Sequence, residues 1–149
     1  MKQQNRIGKY EILERLGRGG MAEVYRAYHA ELDRHVAIKV LHHFLSEDES
    51  FKLRFAQEAQ NIAKLRHPHI VQVYDFEYAP EWDSYYMVME LIEGPTLRDL
   101  LIDDEMQTGK ALSLREALRI TREAANALSY AHKRGMIHRD VKPANLMLD

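Results

Sequence analysis

The segment HRDVKPANLMLD, residues His138 to Asp149, is the most informative stretch of the chain. It places a carboxylate, Asp140, five residues before a carboxamide, Asn145, with Lys142 between them. Asp140 is suited to accept a hydroxyl proton, Asn145 to bind a metal ion and Lys142 to stabilise phosphate charge. Apolar residues flank the segment on both sides and tie it to a core. The spacing therefore predicts a phosphoryl-transfer site rather than a solvated charged loop.

Length and composition exclude several classes of protein. The chain has 149 residues, of which 46% are hydrophobic and 30% charged, and its net charge is −2. This balance gives no electrostatic basis for nucleic-acid binding. Cysteine is absent, so disulfides, thiolate metal sites and a cysteine nucleophile are excluded. Because the sequence has no signal peptide and no membrane-spanning segment, we expect a cytoplasmic protein; a membrane anchor beyond residue 149 would be compatible with this.

The chain up to residue 93 has the pattern of an antiparallel sheet with one helix. Apolar and polar residues alternate in five short runs, as in half-buried strands. Phe55, Glu58 and Ile62 recur at helical spacing and predict a helix over residues 48–65. The predicted strands cover residues 10–16, 23–29, 35–41, 70–76 and 85–91.

After Gly94 the pattern becomes helical. Thr96 with Asp99 and Ser113 with Glu116 match the capping-box pattern, so each pair is expected to begin a helix. A charged loop is expected over residues 103–110, and a long amphipathic helix over residues 114–134, which Gly135 ends in the left-handed conformation. The apolar stripe expected on this helix consists of Leu114, Leu118, Ala125, Leu128 and Ala131.

A glycine-rich turn lies between the first two predicted strands. Gly17, Gly19 and Gly20 occur in the sequence LGRGGMAEV. Glycine lets the backbone approach a phosphate closely, so that bare N–H groups can face the anion. A hairpin that needs positive φ explains the same glycines, and taken alone this second explanation is favoured.

Two charged residues occupy positions that favour apolar side chains. Lys39 ends the sequence VAIK in the third strand, where alternation places it on the same face as Ala37. Glu58 lies on the apolar face of its helix, where an unpaired charge is costly, so a pair with Lys39 is expected. An edge lysine and a solvated glutamate are the alternatives. The neighbouring His42 and His43 are expected to be solvated.

Together these residues resemble the protein kinases, in particular the eukaryotic-like Ser/Thr kinases of bacteria. The motifs occur in the family's order from about residue 10 to residue 149. The resemblance implies an α+β, protein-kinase-like fold with a five-stranded antiparallel N-lobe, one main helix, and the first helices and catalytic loop of a helical C-lobe. The expected domains are an N-terminal tail over 1–9, an N-lobe with hinge over 10–93 and an incomplete C-lobe over 94–149.

The resemblance also implies roles for five catalytic and metal-binding residues. Asp140 would be the catalytic base and Lys142 would stabilise the transferring phosphate. Lys39 would contact the α- and β-phosphates of ATP and pair with Glu58. Asn145 would bind Mg²⁺.

A further set of residues is implied for contact with ATP. The glycines would cover the phosphates, Met89 would be the gatekeeper, and the backbone of Glu90 and Ile92 would bond the adenine edge. The set consists of Leu16, Gly17, Gly19, Gly20, Val24, Ala37, Lys39, Met89, Glu90, Ile92 and Met147.

The chain departs from the family pattern in two respects. Ala22 stands where the family has its third loop glycine, which is a minor change. The second departure is larger, because the metal-binding DFG sequence, the activation segment and the APE sequence do not occur in these 149 residues. We therefore expect a fragment that is inactive in isolation.

Three functions are compared on this basis. The first is an ATP- and Mg²⁺-dependent Ser/Thr protein kinase that phosphorylates protein hydroxyls, with no nucleic-acid partner. The second is a non-catalytic nucleotide-binding or regulatory module. The third, a small-molecule kinase, is disfavoured by Lys142 and Pro143, a pair that fits protein substrates better. The sequence does not indicate an oligomeric state.

Overall fold

The structure is a computed structural model that describes residues 5–106 and 112–149, without the side chains of residues 103–106. The chain divides into two compact units. The first consists of Met1–Arg66 with Val71–Leu91, and the second of His67–Ile70 with Ile92–Asp149.

The first unit is built on a six-stranded antiparallel sheet. The strands are β1 Arg6–Ile7, β2 Tyr10–Arg18, β3 Ala22–His29, β4 Arg34–Leu41, β5 Val73–Ala79 and β6 Ser84–Met89. Their order in the sheet is β1-β2-β3-β4-β6-β5. The sequence predicts five of these strands, although β5 begins three residues later than expected.

The additional strand, β1, lies in the segment that the sequence assigns to an N-terminal tail, so that assignment is wrong for these two residues. Ile7 is fully buried and pairs with Tyr10 of β2. Gly8 makes the turn with a φ of 53°, and the Trp82 indole N–H donates to the Arg6 carbonyl oxygen at 2.7 Å. A two-residue strand is too short to show alternation, which is why the pattern does not reveal it.

Two helices follow β4 in the first unit. A short helix, α1 (His43–Ser46), is not predicted, because four residues carry no periodicity. The predicted helix is present as α2 (Glu49–Ala63) and begins at Asp48, whose side chain accepts a hydrogen bond from the Ser50 backbone N–H. Phe55 on α2 is fully buried, so this helix is fixed to the unit by its apolar face.

Two apolar clusters stabilise the first unit. On β4, Val36, Ile38 and Val40 enter the first cluster and Leu41, on the opposite face, enters the second, as expected for a strand that is covered on both faces. The first cluster contains Ile7, Tyr10, Ala27, Val36, Ile38, Val40, Ala79, Tyr86 and Val88. The second cluster, which includes the buried face of α2, contains Ala22, Leu41, Phe55, Ala59, Val73 and Met87.

The second unit contains helices α3 (Leu97–Met106) and α4 (Leu114–His132) and a 3₁₀ turn (Pro143–Asn145). Both capping boxes are present, and Gly135 has the left-handed conformation with a φ of 77°. The charged loop expected over residues 103–110 is wrong for 103–106, which continue α3; residues 107–110 lie outside the described chain. No helix among the residues that the structure describes has the length and apolar character needed to span a bilayer.

The apolar stripe expected on α4 is mostly not covered by the described residues. Ile120 and Ala127 are buried, whereas Leu114 and Leu118 are 76% and 61% exposed and Ala125 is exposed. The segment His67–Ile70 contacts α4 at Tyr130 and Glu123. The His67 ring lies 5.1 Å from the Tyr130 ring, and His69 Nδ1 is 4.0 Å from the Glu123 carboxylate.

Candidate active site

The glycine turn between β2 and β3 is not explained by backbone strain or by internal packing. The Gly19 N–H donates to the Ala22 carbonyl oxygen at 2.8 Å. None of Gly17, Gly19 and Gly20 has a positive φ. The alternative explanation, that the hairpin needs these glycines for a positive φ, is therefore wrong. A Cβ added at Gly17 or Gly20 would meet no atom within 4 Å. The small residues therefore leave an open backbone surface of the kind that suits a phosphate.

The register of the sheet brings several candidate ATP-contacting residues to one face. Val24 of β3 is opposite Lys39 of β4, and Lys39 is opposite Met87 of β6. Ala37, two residues before Lys39, is opposite Met89. Because directly opposed residues of antiparallel strands share a face, all five side chains lie on the same side of the sheet.

Lys39 and Glu58 form the ion pair that the sequence predicts. Lys39 Nζ is 2.9 Å from Glu58 Oε1, and the two side chains are 27% and 38% exposed. A pair this accessible to solvent contributes at most about 1 kcal/mol to stability. Its geometry is set by packing, since Phe55 and Ala59 bury the helix face next to Glu58. The pair therefore orients the Lys39 ammonium group without the desolvation penalty of a fully buried charge.

The segment after β6 is fixed by two bonds between Glu90 and Gln72. The Glu90 backbone N–H donates to the Gln72 carbonyl oxygen at 2.8 Å, and the Gln72 backbone N–H donates to Glu90 Oε2 at 3.1 Å.

Two of the candidate ATP-contacting side chains are largely exposed. On the edge of the glycine turn, Leu16 is 49% exposed. In the second unit, Met147 is 45% exposed and forms an isolated β-bridge with Thr96.

In the second unit, Asp140, Lys142 and Asn145 form one connected group. Lys142 Nζ is 3.2 Å from Asp140 Oδ2. The Asn145 side-chain N–H donates to the Asp140 carbonyl oxygen at 2.8 Å and to Oδ2 at 3.2 Å. Because the Asn145 amide nitrogen is used in this way, the amide oxygen is the atom with which it would bind a cation.

The environment of Asp140 keeps its carboxylate ionised. The hydrogen bond and positive charge of Lys142 lower the pKa of Asp140 below its usual value of 3.8, and the hydrogen bond from Asn145 adds to this. Asp140 is exposed, so burial does not hold it in place. The group is an anion at neutral pH that can accept a proton from a neighbouring hydroxyl.

Backbone contacts within the second unit fix the end of this segment. The Leu97 N–H donates to the Leu146 carbonyl oxygen at 2.7 Å, and the Leu148 N–H donates to the Pro95 carbonyl oxygen at 2.9 Å. A Cβ added at Gly94 would overlap the Leu148 carbonyl group. Glycine at position 94 is therefore required by the close approach of two backbone segments.

The candidate residues thus form two sets, each within its own unit. Within residues 5–102 and 112–149 no cluster of three or more His, Asp or Glu side chains is arranged to hold a metal ion. The first unit contains Leu16, Gly17, Gly19, Gly20, Val24, Ala37, Lys39, Glu58, Met89 and Glu90, and the second contains Ile92, Asp140, Lys142, Asn145 and Met147.

Sequence reasoning missed His42. The expectation that it is solvated is wrong, because only 9% of it is exposed and its Nε2 lies 2.7 Å from the Gly19 carbonyl oxygen. His43 is exposed, as expected. The signal that could have distinguished them is the position of His42 directly after the apolar end of β4, which continues the strand toward the glycine turn.

A family model of the protein kinase domain matches residues 10–149. The chain belongs to the protein kinase family. The family uses ATP and a divalent metal ion, and both sets of residues described above suit these ligands chemically. Ala22, the departure in the glycine turn, has its methyl group buried in the cluster around Phe55, so in this kinase the position contributes to the core.

Relatives of this kinase domain are named serine/threonine-protein kinases. A probable serine/threonine-protein kinase of Streptomyces coelicolor is 46% identical over 151 residues, covering 99% of this chain and 22% of that protein. PknB of Mycolicibacterium smegmatis is 47% identical over 147 residues, covering 97% of this chain and 23% of that protein. The chain therefore spans less than a quarter of the length of these two relatives.

A solved kinase structure has the same fold. The crystal structure of the Mycobacterium tuberculosis PknI kinase domain matches with a TM-score of 0.77 at 33% identity, over 95% of this chain and 55% of that one. The protein-kinase-like α+β fold that the sequence predicts is therefore confirmed, with one more strand than expected.

Proposed function

We propose that this chain provides the ATP-binding residues and the catalytic loop of a protein kinase that transfers the γ-phosphoryl group of ATP to serine or threonine hydroxyls of a protein. The observation that carries the proposal is the 2.9 Å ion pair between Lys39 and Glu58, on the sheet face that Lys39 shares with Val24 and Ala37. An oriented ammonium group beside an open glycine turn is suited to bind phosphate oxygens.

In this proposal the first unit binds the nucleotide. Lys39 neutralises the α- and β-phosphates while Glu58 holds its ammonium group in place. The backbone of the glycine turn covers the phosphates, and the small side chain of Ala37 leaves room for the adenine ring. Met89 limits the depth of the adenine site as the gatekeeper. Glu90 bonds the adenine edge through its backbone, and Leu16 and Val24 contribute apolar contacts. Ile92 and Met147, which the resemblance also assigns to ATP contact, belong to the second unit.

The second unit carries the transfer chemistry. Asp140 is ionised at neutral pH, so it can accept the proton of the attacking hydroxyl as general base. Lys142 stabilises the charge of the phosphoryl group in flight. Asn145 binds Mg²⁺ through its amide oxygen, since its nitrogen donates to Asp140. When bound, Mg²⁺ supplies electrostatic neutralisation of the phosphate oxygens.

We propose that the N-lobe with its hinge extends to residue 93 and includes β1, which is part of the sheet, so that the tail is shorter than residues 1–9. Residues 94–149 form the beginning of the C-lobe. The reaction belongs in the cytoplasm, where ATP is available. The protein substrate carries a serine or threonine, a proposal that draws on the names of the relatives as serine/threonine-protein kinases.

The first test measures binding of Mg-ATP to the 149-residue chain by isothermal titration calorimetry. Lys39→Met is expected to weaken binding by about tenfold or more, because charge-assisted hydrogen bonds to phosphate are lost. The matched control is Lys52→Met, on the same first unit, where Lys52 pairs with the exposed Glu49 at 3.3 Å. Absence of ATP binding to the unsubstituted chain, or equal losses in both variants, would contradict the proposed function.

The second test concerns catalysis. A chimera in which residues 1–149 replace the matching segment of M. smegmatis PknB is expected to phosphorylate a protein substrate, and Asp140→Asn should reduce incorporation of labelled phosphate to background. The 149-residue chain alone should bind ATP without transfer, because the family's DFG metal ligand is not among these residues. A transfer rate from the chain alone that disappears in Asp140→Asn would disprove this last expectation.

A further inference from the structure

His42 lies against the glycine turn in a way that the proposed kinase roles do not use. It follows β4 directly and is buried, with its Nε2 at 2.7 Å from the Gly19 carbonyl oxygen. A carbonyl oxygen can only accept a hydrogen bond, so His42 Nε2 carries the proton and donates it. A buried imidazole thus holds one particular peptide group of the turn.

Two further contacts fix His42 and the turn together. The His42 backbone N–H donates to the Met21 carbonyl oxygen at 2.8 Å. The imidazole ring stacks on Phe44, with ring centroids 5.2 Å apart and planes inclined by 14°. The turn itself is closed by the bond from the Gly19 N–H to the Ala22 carbonyl oxygen. A single residue therefore holds the tip of the glycine turn at two points.

The bond to Gly19 decides which way a neighbouring N–H group points. In a planar trans peptide the carbonyl oxygen of one residue and the N–H of the next point in opposite directions. When His42 binds the Gly19 carbonyl oxygen, the Gly20 N–H is directed away from His42. A Cβ added at Gly20 would meet open space, so the surroundings of this residue can admit a ligand.

We propose that His42 is a positioning residue for phosphate binding, an inference that rests on the proposed function. It orients the peptide group between Gly19 and Gly20 so that an N–H, and not a carbonyl oxygen, faces the nucleotide phosphates. The reversed peptide would present a partial negative charge to an anion. Without the imidazole, the Gly19 carbonyl oxygen loses its hydrogen-bond donor, and part of the turn's population would take that reversed orientation.

The test separates this role from ordinary core packing. His42→Phe keeps an aromatic ring to stack on Phe44 but removes the donor, whereas His42→Gln retains a side-chain N–H donor of similar reach. His43→Phe is the control, since His43 is the exposed neighbour whose Nδ1 lies 3.4 Å from the Asp83 carbonyl oxygen. Each variant of the 149-residue chain is first checked for its melting temperature by circular dichroism.

Two measurements are then made on each variant. The dissociation constants of Mg-ATP and of adenosine are compared, because only ATP carries the phosphates. His42→Phe is expected to weaken Mg-ATP about fivefold, the effect of one lost hydrogen bond, and to leave adenosine unchanged. His42→Gln and His43→Phe should resemble the original chain. Without nucleotide, hydrogen exchange in the peptide covering residues 17–22 should be faster in His42→Phe alone.

The result that would overturn the positioning role of His42 differs from the result that would overturn the proposed function. If the unsubstituted chain binds no ATP, the proposed function fails and this inference fails with it. If it binds ATP and His42→Phe binds ATP as tightly, or loses ATP and adenosine affinity equally, only the positioning role is overturned. Unchanged hydrogen exchange in residues 17–22 of His42→Phe would also overturn it, since the turn would then not be held by the imidazole.

Discussion

Lys39 and Glu58 are carried by a strand and a helix that bury large side chains, whereas Asp140 and Asn145 lie on an exposed segment. The contrast extends to the two units as wholes. Of the buried apolar residues in the described chain, all but Ile120 and Ala127 lie in the first unit. The candidate nucleotide site is thus positioned by a packed core, and the candidate catalytic loop by local hydrogen bonds.

This difference determines how substitutions should act. In the first unit, a change in the core should lower the free energy of unfolding. It should also shift Lys39 or Glu58, because the packed core holds the strand and the helix that carry them. In the second, substitutions should act on local contacts or on a pKa and should change the free energy of unfolding by smaller amounts. Four predictions examine this contrast, beginning with the largest effect.

Phe55→Ala should destabilise the first unit by about 3–5 kcal/mol, because Phe55 is fully buried between α2 and the sheet and its removal leaves a cavity. Urea unfolding followed by the fluorescence of Trp82, the single tryptophan, measures this unit selectively. The comparison variant in the second unit is Leu118→Ala, followed by hydrogen exchange in α4; because Leu118 is 61% exposed, the free energy of unfolding should change by less than about 0.5 kcal/mol. Equal losses in the two variants would refute the contrast.

Gly94→Ala should destabilise the second unit by about 1–3 kcal/mol, since the added methyl group overlaps the Leu148 carbonyl group and backbone must move. Hydrogen exchange of the Leu97 and Leu148 amides should become faster, because their bonds join these two segments. Gly20→Ala is the comparison: its Cβ meets open space, so the free energy of unfolding should not change. Slow exchange retained in Gly94→Ala would contradict the close approach.

Ser113→Ala should cost about 1 kcal/mol at the start of α4, because the Ser113 side chain accepts a hydrogen bond from the Glu116 backbone N–H in a capping box. The measurement is hydrogen exchange in the first turn of α4. Ser113→Thr, which keeps the hydroxyl, should retain the original protection. If alanine and threonine behave alike, the capping box does not stabilise this helix.

Lys142→Met should have the smallest effect and no measurable influence on unfolding. It removes the main cause of the lowered pKa of Asp140, so that pKa should rise toward 3.8. Any stability that the ionised Asp140 contributes is present above its unfolded pKa and is lost as pH falls through the lower folded pKa. In the variant these two pKa values lie closer together, so the pH range over which this stability changes is narrower. An NMR titration of the Asp140 carboxyl carbon measures the shift, with Lys133→Met as control. A pKa that does not rise would argue against the bond between Lys142 and Asp140.

The sequence predicts most of the first unit's elements because alternation and helical spacing are local properties. It places the start of β5 three residues too early, at Ile70 instead of Val73. Ile70 belongs to the segment of the second unit whose His67 contacts α4, and Gln72 bonds Glu90 just before the strand begins. Local periodicity describes which residues are apolar, and only tertiary contacts decide which partner covers them.

The candidate site likewise contains residues that the sequence identifies and contacts that it does not. The motifs identify Lys39, Glu58, Asp140 and Asn145, because fixed spacing in the chain carries this information. They do not reveal that the Asn145 amide nitrogen bonds Asp140. They also give no indication of His42, whose burial depends on a turn more than twenty residues earlier in the chain. Such contacts follow from the folded arrangement alone.

The second of two irregularities in the pairing of β2 with β3 has a consequence for insertions and deletions. Arg15 pairs with Tyr25 and Gly17 pairs with Val24, so Leu16 is an extra residue that the pairing passes over. Gain or loss of one codon here leaves the partners on either side unchanged. The pairing of β3 with β4 has no such allowance, and one inserted residue before Lys39 would carry its ammonium group to the opposite face of the sheet. Lineages of this domain should therefore vary in length at the first position and never at the second.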